Sequence, residues 1–221
     1  MLFLSVSAIK DYLVCPKIYW YRVHKKSTFV PDEYITRGNV VHKAIEVYNN
    51  FEDAMKFVKT SYPYSTPPGE IQTMLYNYYT DIEPQLPDKR DVERTFKLVW
   101  SDDVYLVGKI DRITPTSIYD WKTAIKPPDA YELQDMQFYI YWWAYRHIFK
   151  REPSVFYGHL YSGKLLPIDI NEEMWYNIER LVNEIIGRLT DENSFYPRLF
   201  GYRCKRCFYK GVCLSDYELG D

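Results

Sequence analysis

The stretch VYLVGKIDRITPTSIYDWKTA, Val104 to Ala124, contains short runs of β-branched and aromatic residues on either side of a Thr-Pro-Thr turn. Such runs are typical of β-strands, and the turn between them predicts a hairpin. Residues two apart on a strand face the same side, so Asp120 and Lys122 should point together while Trp121 faces away. Asp111 lies on the preceding strand and can be their neighbour. Only nine positions separate Asp111 from Asp120, so this hairpin must be tight.

The side chains of this hairpin have two interpretations. Two carboxylates in close approach repel each other unless a cation lies between them. Their oxygens are hard ligands that suit Mg²⁺ or Mn²⁺. A lysine beside such a metal can position a water molecule or stabilise charge that develops on a phosphate. The other interpretation is an exposed ion pair, which is common on strands.

Around the hairpin, the pattern alternates between helix and strand. Helical spacing of apolar residues predicts helices over residues 32–51, 51–62, 70–82, 129–149 and 171–190. Strands are predicted over residues 91–100, 104–113 and 116–124, as an antiparallel meander, and over 154–163 and 164–170. The sequence therefore predicts an α/β fold.

Two of these helices carry polar pairs at a spacing of four residues. His42 and Glu46 share one helix face, and so do Gln137 and Tyr141. Each pair alone is typical of structural packing. Their order along the chain is more specific, because G-x3-H-x3-E (from Gly38), G-x2-D (from Gly108), D-x-K and Q-x3-Y follow one another.

The four cysteines form another unusual pattern. Cys204, Cys207 and Cys213 follow a C-x2-C-x5-C spacing near the end of the chain, whereas Cys15 precedes Pro16 near its start. Pro16 should hold Cys15 away from helical dihedral angles. Unrelated buried thiols, a zinc site and an iron–sulfur site are all compatible with four cysteines in a reducing compartment. Four basic residues surround the late cysteines, either as a solvated loop or as a DNA contact: Arg203, Lys205, Arg206 and Lys210.

Composition narrows the functional classes only a little. The chain has 221 residues and a formal net charge of -2, which does not mark a nucleic-acid-binding protein but allows a local basic patch. The sequence contains neither an apolar run long enough for a transmembrane helix nor a signal-peptide pattern. A cytoplasmic protein without membrane partners is the expectation.

The ordered motifs resemble the RecB-like branch of the PD-(D/E)xK nucleases. One early cysteine with a late C-x2-C-x5-C resembles the iron–sulfur subset of that branch, and both features together are most similar to the CRISPR-associated RecB-like exonucleases. The resemblance runs from Cys15 to Cys213. It implies a restriction-endonuclease-like core, a mixed sheet flanked by helices, with an iron–sulfur cluster joining the N- and C-terminal segments. The chain departs from the family pattern in lacking a Pro-Asp before the Asp-x-Lys element.

The resemblance also implies a role for each site residue. His42, Asp111, Asp120 and the backbone carbonyl of Trp121 would bind Mg²⁺ or Mn²⁺. Lys122 would position and activate the hydrolytic water. The remaining site residues would support this centre: Gln137 and Tyr141 by holding the DNA strand or Lys122, and Glu46 by orienting the site. The iron–sulfur cluster, [4Fe–4S] in preference to [2Fe–2S], would be ligated by Cys15, Cys204, Cys207 and Cys213.

The activity implied is hydrolysis of single-stranded DNA by a 5′→3′ exonuclease that processes prespacers during CRISPR spacer acquisition, a part of antiviral defence. CRISPR integrase proteins are the implied partners, and an oligomer is compatible with the family. A viral or DNA-repair exonuclease of the same fold is one alternative, and a non-catalytic, zinc-stapled nucleic-acid-binding module is another. The predicted segments are a cysteine-donating segment (1–30), a nuclease core (31–195) and a three-cysteine segment (196–221).

Overall fold

The structure, a computed structural model, describes residues 1–25, 32–64, 68–87, 92–189, 191, 194–198, 204–205 and 207–218. The α-helices in these ranges are α1 (Val6–Val14), α2 (Pro16–Trp20), α3 (Glu33–Val47), α4 (Phe51–Ser61), α5 (Gly69–Asn77), α6 (Ala130–Leu133), α7 (Met136–Phe149), α8 (Glu172–Leu189) and α9 (Lys210–Glu218). The strands are β1 (Leu2–Ser5), β2 (Val92–Ser101), β3 (Val104–Ile113), β4 (Ser117–Lys122), β5 (Ser154–His159) and β6 (Lys164–Ile168).

The described residues divide into two compact units. Unit 1 comprises Met1–Val30, Val99–Leu106 and Glu172–Asp221, and unit 2 comprises Pro31–Leu98 and Val107–Asn171. The boundary crosses β2 and β3, so each of these strands contributes to both units. The predicted segments, residues 1–30, 31–195 and 196–221, have other boundaries than these two units, and they remain a prediction from the sequence.

The sheet of unit 2 is mixed, as predicted for this fold. β3 pairs antiparallel with β4, and the register of Arg112 with Tyr119 and of Ile113 with Ile118 leaves only a short turn around Pro115. The predicted tight hairpin is therefore confirmed. β4 pairs parallel with β5, and β5 pairs antiparallel with β6.

Helices α3, α4 and α5 pack on one face of this sheet. The Asp32 side chain caps α3 by accepting a hydrogen bond from the Ile35 N–H, and the Asn50 side chain caps α4. Such caps satisfy backbone donors that have no partner within the helix. The shared core contains apolar residues from these helices and from β4: Val41, Ala44, Ile45, Ala54, Val58, Ile71, Met74, Leu75, Tyr119 and Trp121.

The helix predicted over residues 129–149 is wrong in one respect, because it is interrupted. Asp129 and Glu132 form a reciprocal cap at the start of α6. Asp135 then accepts a hydrogen bond from the Gln137 N–H and starts α7 as a separate helix. Two caps six residues apart favour two helix starts, and the second start fixes the first turn of α7, where Gln137 lies.

β1 is the neighbour of β3 in the sheet, and in unit 1 the Leu2 N–H donates to the carbonyl of Asp103, just before β3, over 2.7 Å. Phe3 stacks on Tyr105, and Trp100 donates a hydrogen bond to Asn183 on α8. The prediction that Cys15 avoids helical dihedral angles is confirmed, since it is extended, with φ -164° and ψ 119°, between α1 and α2. Among the helices that the structure describes, none is both long and apolar enough to cross a membrane.

Candidate active site

Asp111 ties the two strands of the hairpin together at the site. Its Oδ2 accepts a hydrogen bond of 2.7 Å from the Trp121 N–H. The N–H and C=O of one strand residue face the same neighbouring strand, so the Trp121 carbonyl is also on the β3 side. The carboxylate and the backbone carbonyl predicted as metal ligands thus share one side of β4.

Asp120 and Lys122 lie on the same face of β4, as predicted, and make contact. Lys122 Nζ lies 2.6 Å from Asp120 Oδ2, and the Asp120 side chain is only 4% exposed. Trp121 points to the opposite face, where its ring packs edge-on against Tyr78. The alternation of the strand therefore separates a polar site from the apolar core.

Gln137 bridges the acid and the base of this pair. Its Nε2 donates to Asp120 Oδ1 over 2.8 Å, and its Oε1 accepts from Lys122 Nζ over 3.1 Å. Tyr141, one turn further along α7, accepts from Gln137 Nε2 and donates to the Lys109 carbonyl. The Gln-x3-Tyr motif therefore acts as a support for Asp120 and Lys122.

His42 reaches the site from α3. Its Nδ1 lies 3.2 Å from Asp111 Oδ1, although 69 residues separate the two along the chain. The structure thus brings His42, Asp111, Asp120 and Lys122 into one polar cluster. Their roles as metal ligands and as catalytic lysine remain predictions.

The charges of the cluster are strongly coupled. Burial acts against ionisation of Asp111, but His42 and the Trp121 N–H outweigh it and lower the pKa of this carboxyl. Burial raises the pKa of Asp120, and the charge of Asp111 raises it further, against the opposing effect of Lys122. Burial also disfavours charged Lys122, yet Asp120 outweighs burial and raises the lysine pKa. A divalent cation beside the two carboxylates would offset the repulsion that disfavours ionised Asp120.

An open cleft of about 430 Å³ adjoins His42 and Asp111. Glu46 also lines it, but its carboxylate contacts Lys43 and Lys109, not His42, within the described residues. The two lysines line the same cleft and were not among the predicted site residues. Their positions, next to His42 and two residues before Asp111, are the signal that could have identified them.

Gly108 of the G-x2-D motif has a packing role. A Cβ atom at this position would lie 2.5 Å from the ring of Phe96 and 3.4 Å from Tyr141. Phe96 in turn packs edge-on against the Tyr141 ring. The glycine therefore leaves room for the aromatic contact that supports Tyr141.

The four cysteines all belong to unit 1 and form no disulfides. Cys15 Sγ accepts a hydrogen bond from the Arg198 N–H, and the Cys204 thiol donates to the carbonyl of the same residue. Burial raises the pKa values of Cys207 and Cys213, and the charges of the other cysteines raise them further. The chain thus brings its first cysteine close to the three late ones.

Across the ranges described above, no three His, Cys, Asp or Glu side chains are arranged to hold a metal ion. The aromatic residues beside the cysteines pack against each other, since Tyr21 stacks on Tyr209 and Tyr19 on Phe195. Arg203 and Arg206 of the predicted basic loop lie outside the described residues.

Comparison with known proteins identifies the family. Residues 3–214 match the family model of the PD-(D/E)XK nuclease superfamily. The chain therefore belongs to the PD-(D/E)XK nuclease superfamily, and the predicted superfamily and α/β core are confirmed. Members of this superfamily typically use Mg²⁺ or Mn²⁺.

A similar fold occurs in a crystal structure from Eubacterium rectale, of a protein named "Putative exonuclease". The match has a TM-score of 0.63 and 15% sequence identity, and it covers 99% of this chain and 94% of the other. No curated protein sequence matches the chain. At this identity the likeness shows a shared fold.

Proposed function

We propose that this protein is a divalent-metal-dependent nuclease that hydrolyses phosphodiester bonds of single-stranded DNA. One observation carries the proposal: in a chain of the PD-(D/E)XK superfamily, His42, Asp111, Asp120 and Lys122 converge beside an open cleft. The resemblance of the motifs to the CRISPR-associated exonucleases supports the substrate, the 5′→3′ direction and the role in spacer acquisition.

The donor atoms of these side chains are of the kind that a hard divalent cation prefers, although no three such side chains among the described residues are already arranged to hold one. Asp111 and Asp120 supply carboxylate oxygens, and His42 supplies an imidazole. Buried Asp120 Oδ2 forms an ion pair of 2.6 Å with the Lys122 ammonium and accepts no other hydrogen bond among the described residues. Mg²⁺ or Mn²⁺ bound by these residues, with the Trp121 carbonyl, would polarise the scissile phosphate and offset charge on the leaving oxygen.

The protein groups have separate tasks in this mechanism. The raised pKa of Lys122 keeps its ammonium protonated, so it can hold a water molecule by hydrogen bonding and stabilise negative charge on the phosphate. Gln137 fixes both Lys122 and Asp120, and Tyr141 fixes Gln137. Positioning of the reacting groups therefore depends on one short helical turn of α7.

We further propose that Cys15, Cys204, Cys207 and Cys213 ligate an iron–sulfur cluster. The proposal is supported by the approach of Cys15 to the late cysteines in unit 1, where Cys15 and Cys204 both contact Arg198, and by the resemblance of the cysteine spacing to the iron–sulfur subset of the family. The cluster would have a mainly structural role, because it would hold the N- and C-terminal segments of the chain together.

A viral or DNA-repair exonuclease with the same chemistry is the alternative biological role. The Eubacterium rectale protein is named as an exonuclease, which is compatible with either role. The enzyme chemistry proposed above is the same in both cases.

The decisive experiment is anaerobic purification followed by digestion of single-stranded DNA labelled at its 5′ or 3′ end. We expect cleavage with Mg²⁺ or Mn²⁺, none with EDTA, and none by the Asp120→Ala variant. Shortening only from the 3′ end would contradict the proposed direction. Cleavage in EDTA, or full activity of Asp120→Ala, would overturn the proposed metal-dependent mechanism at this site.

A further inference from the structure

The cleft beside His42 and Asp111 carries two basic side chains that the proposed chemistry does not use. Lys43 and Lys109 line this cleft, and both side chains are about half exposed, at 52% and 51%. Exposed lysines are usually solvated without a specific function. These two differ because both contact one and the same atom.

That atom is Oε2 of Glu46. It lies 2.8 Å from Lys43 Nζ and 3.9 Å from Lys109 Nζ. An anionic oxygen between two ammonium groups is the arrangement by which lysines bind a phosphate. The Glu46 carboxylate therefore occupies a position suited to a phosphate oxygen.

The two lysines around this anion position lie beside proposed metal ligands in the sequence. Lys43 directly follows His42 on α3, and Lys109 lies two residues before Asp111 on β3, on the same strand face. Two strand residues span about 6.7 Å, which is comparable to the separation of neighbouring phosphates in an extended nucleic-acid strand. A strand with its scissile phosphate at Asp111 can thus place an adjacent phosphate near Lys109.

We propose that Lys43 and Lys109 form a second phosphate subsite, which binds the backbone phosphate next to the scissile one. Glu46 is the counter-ion that holds both ammonium groups until a strand replaces it. This subsite rests on the proposed nuclease function and assigns its substrate contact. It contacts backbone charge and therefore gives no base preference.

A binding experiment tests the subsite independently of cleavage. Fluorescence anisotropy would measure the Kd of a labelled oligothymidylate in EDTA for the parent and for Lys43→Met and Lys109→Met. Lys59→Met is the matched control, because Lys59 is an exposed lysine of α4 that does not line the cleft. We expect the Kd to rise on the order of tenfold in the cleft variants and to stay unchanged in the control.

Salt dependence gives a second measurement. The slope of log K against log salt should decrease by about 0.7 when one phosphate contact of a single strand is lost. Glu46→Gln should act in the opposite direction and lower the Kd, because the phosphate no longer competes with a carboxylate. A merely structural role of Glu46 would not tighten binding, so unchanged or weaker binding by a folded Glu46→Gln variant would count against the proposal.

A neutral linkage locates the subsite. One methylphosphonate, placed at successive positions of the strand, should weaken binding by the parent most strongly at one position. At that position, Lys109→Met should bind neutral and charged strands alike. Equal effects of the neutral linkage on parent and variant would overturn the subsite, as would a Lys109→Met variant indistinguishable from Lys59→Met.

The two proposals fail separately. If the parent binds and cleaves DNA but the lysine variants behave like the control, only the subsite is lost. If the parent binds the strand through the lysines but does not cleave it with any divalent metal, the nuclease proposal is lost, and the lysines remain a backbone-phosphate site without a scissile neighbour. A parent that binds no strand overturns the subsite.

Discussion

At the residue scale, Lys122 and Asp120 are linked by a contact that serves different purposes for the two groups. The ion pair of 2.6 Å keeps Lys122 charged despite its burial. For Asp120 the same contact offsets only part of the cost of ionisation. Removing either side chain should therefore affect a different step of the reaction.

We expect Asp120→Ala to abolish cleavage and to weaken metal affinity, since a proposed ligand is lost. Lys122→Ala should instead bind metal and DNA nearly normally and lower kcat by on the order of 10²–10³-fold, the size of a lost charge-stabilising donor. Isothermal titration with Mn²⁺ and single-turnover cleavage distinguish the two variants. Parent-like cleavage by Lys122→Ala would mean that Lys122 is only an ion-pair partner.

Gln137 provides a second residue-level prediction. Gln137→Leu preserves most of the side-chain volume but removes the hydrogen bonds to Lys122 and Asp120. Hydrogen bonds to charged groups contribute about 1.5–3 kcal/mol, so kcat should decrease on the order of ten- to a hundredfold. The matched control is Gln134→Leu, because Gln134 is exposed in the break before α7. Equal activities of the two variants would exclude a positioning role.

At the scale of elements, the parallel pairing of β4 with β5 determines how Trp121 is packed. Trp121 lies opposite Gly158 in the register. A Cβ atom at position 158 would lie 2.3 Å from the Trp121 ring. The indole packs over the β5 backbone, and its neighbours Asp120 and Lys122 are held on the other face of β4.

We expect Gly158→Ala to destabilise the protein by about 1–3 kcal/mol, the usual cost of inserting a methyl group into a filled core. Gly187→Ala is a control for which we expect the opposite change in stability. Gly187 lies exposed within α8 with nothing within 4 Å of the added Cβ, so alanine should stabilise the helix by about 0.5–1 kcal/mol. Urea unfolding measures both effects. A Gly158→Ala variant as stable as the parent would show that the Trp121 ring can move aside.

Much of the sheet and of the site could be predicted because their signals are local. The hairpin of Asp111 and Asp120 follows from two strand patterns and a short turn, and the shared face of Asp120 and Lys122 follows from strand periodicity. The break before α7 was missed because apolar periodicity continues across it, while the capping by Asp135 depends on a side-chain orientation. The two lysines beside Glu46 lie next to predicted site residues in the sequence, but their convergence joins α3 and β3, and no local pattern predicts that contact.

At the scale of the whole molecule, the two candidate centres belong to different units. The proposed catalytic residues all lie in unit 2, whereas the four cysteines all lie in unit 1. A cluster ligated by Cys15 and the late cysteines would close a very long loop of the chain. Closing such a loop removes conformational entropy from the unfolded chain.

Anaerobically purified protein should therefore be brown, and Cys207→Ser should lose the visible absorbance. About 2–4 °C of Tm corresponds to each kcal/mol for a chain of this size, and we expect a decrease in Tm of roughly 10 °C. Asp120→Ala is the control for the colour, which it should keep, because Asp120 lies in the other unit. A colourless protein with one tightly bound zinc would rule out the iron–sulfur cluster and favour a zinc staple.

The contacts of His42 also bear on the order in which the molecule folds. Three hydrogen bonds of the site join residues that are 10 to 17 positions apart in the sequence: Trp121 to Asp111, Lys122 to Gln137, and Gln137 to Asp120. By contrast, 69 positions separate His42 from Asp111. Early contacts favour short separations, because closing a longer loop costs more chain entropy. The hairpin and α7 should therefore assemble first, and the docking of α3 should complete the constellation last. A nascent or partly unfolded chain would then position Lys122 before His42 reaches the site. If His42 is a metal ligand, as proposed, nuclease activity would arise only with this final folding step.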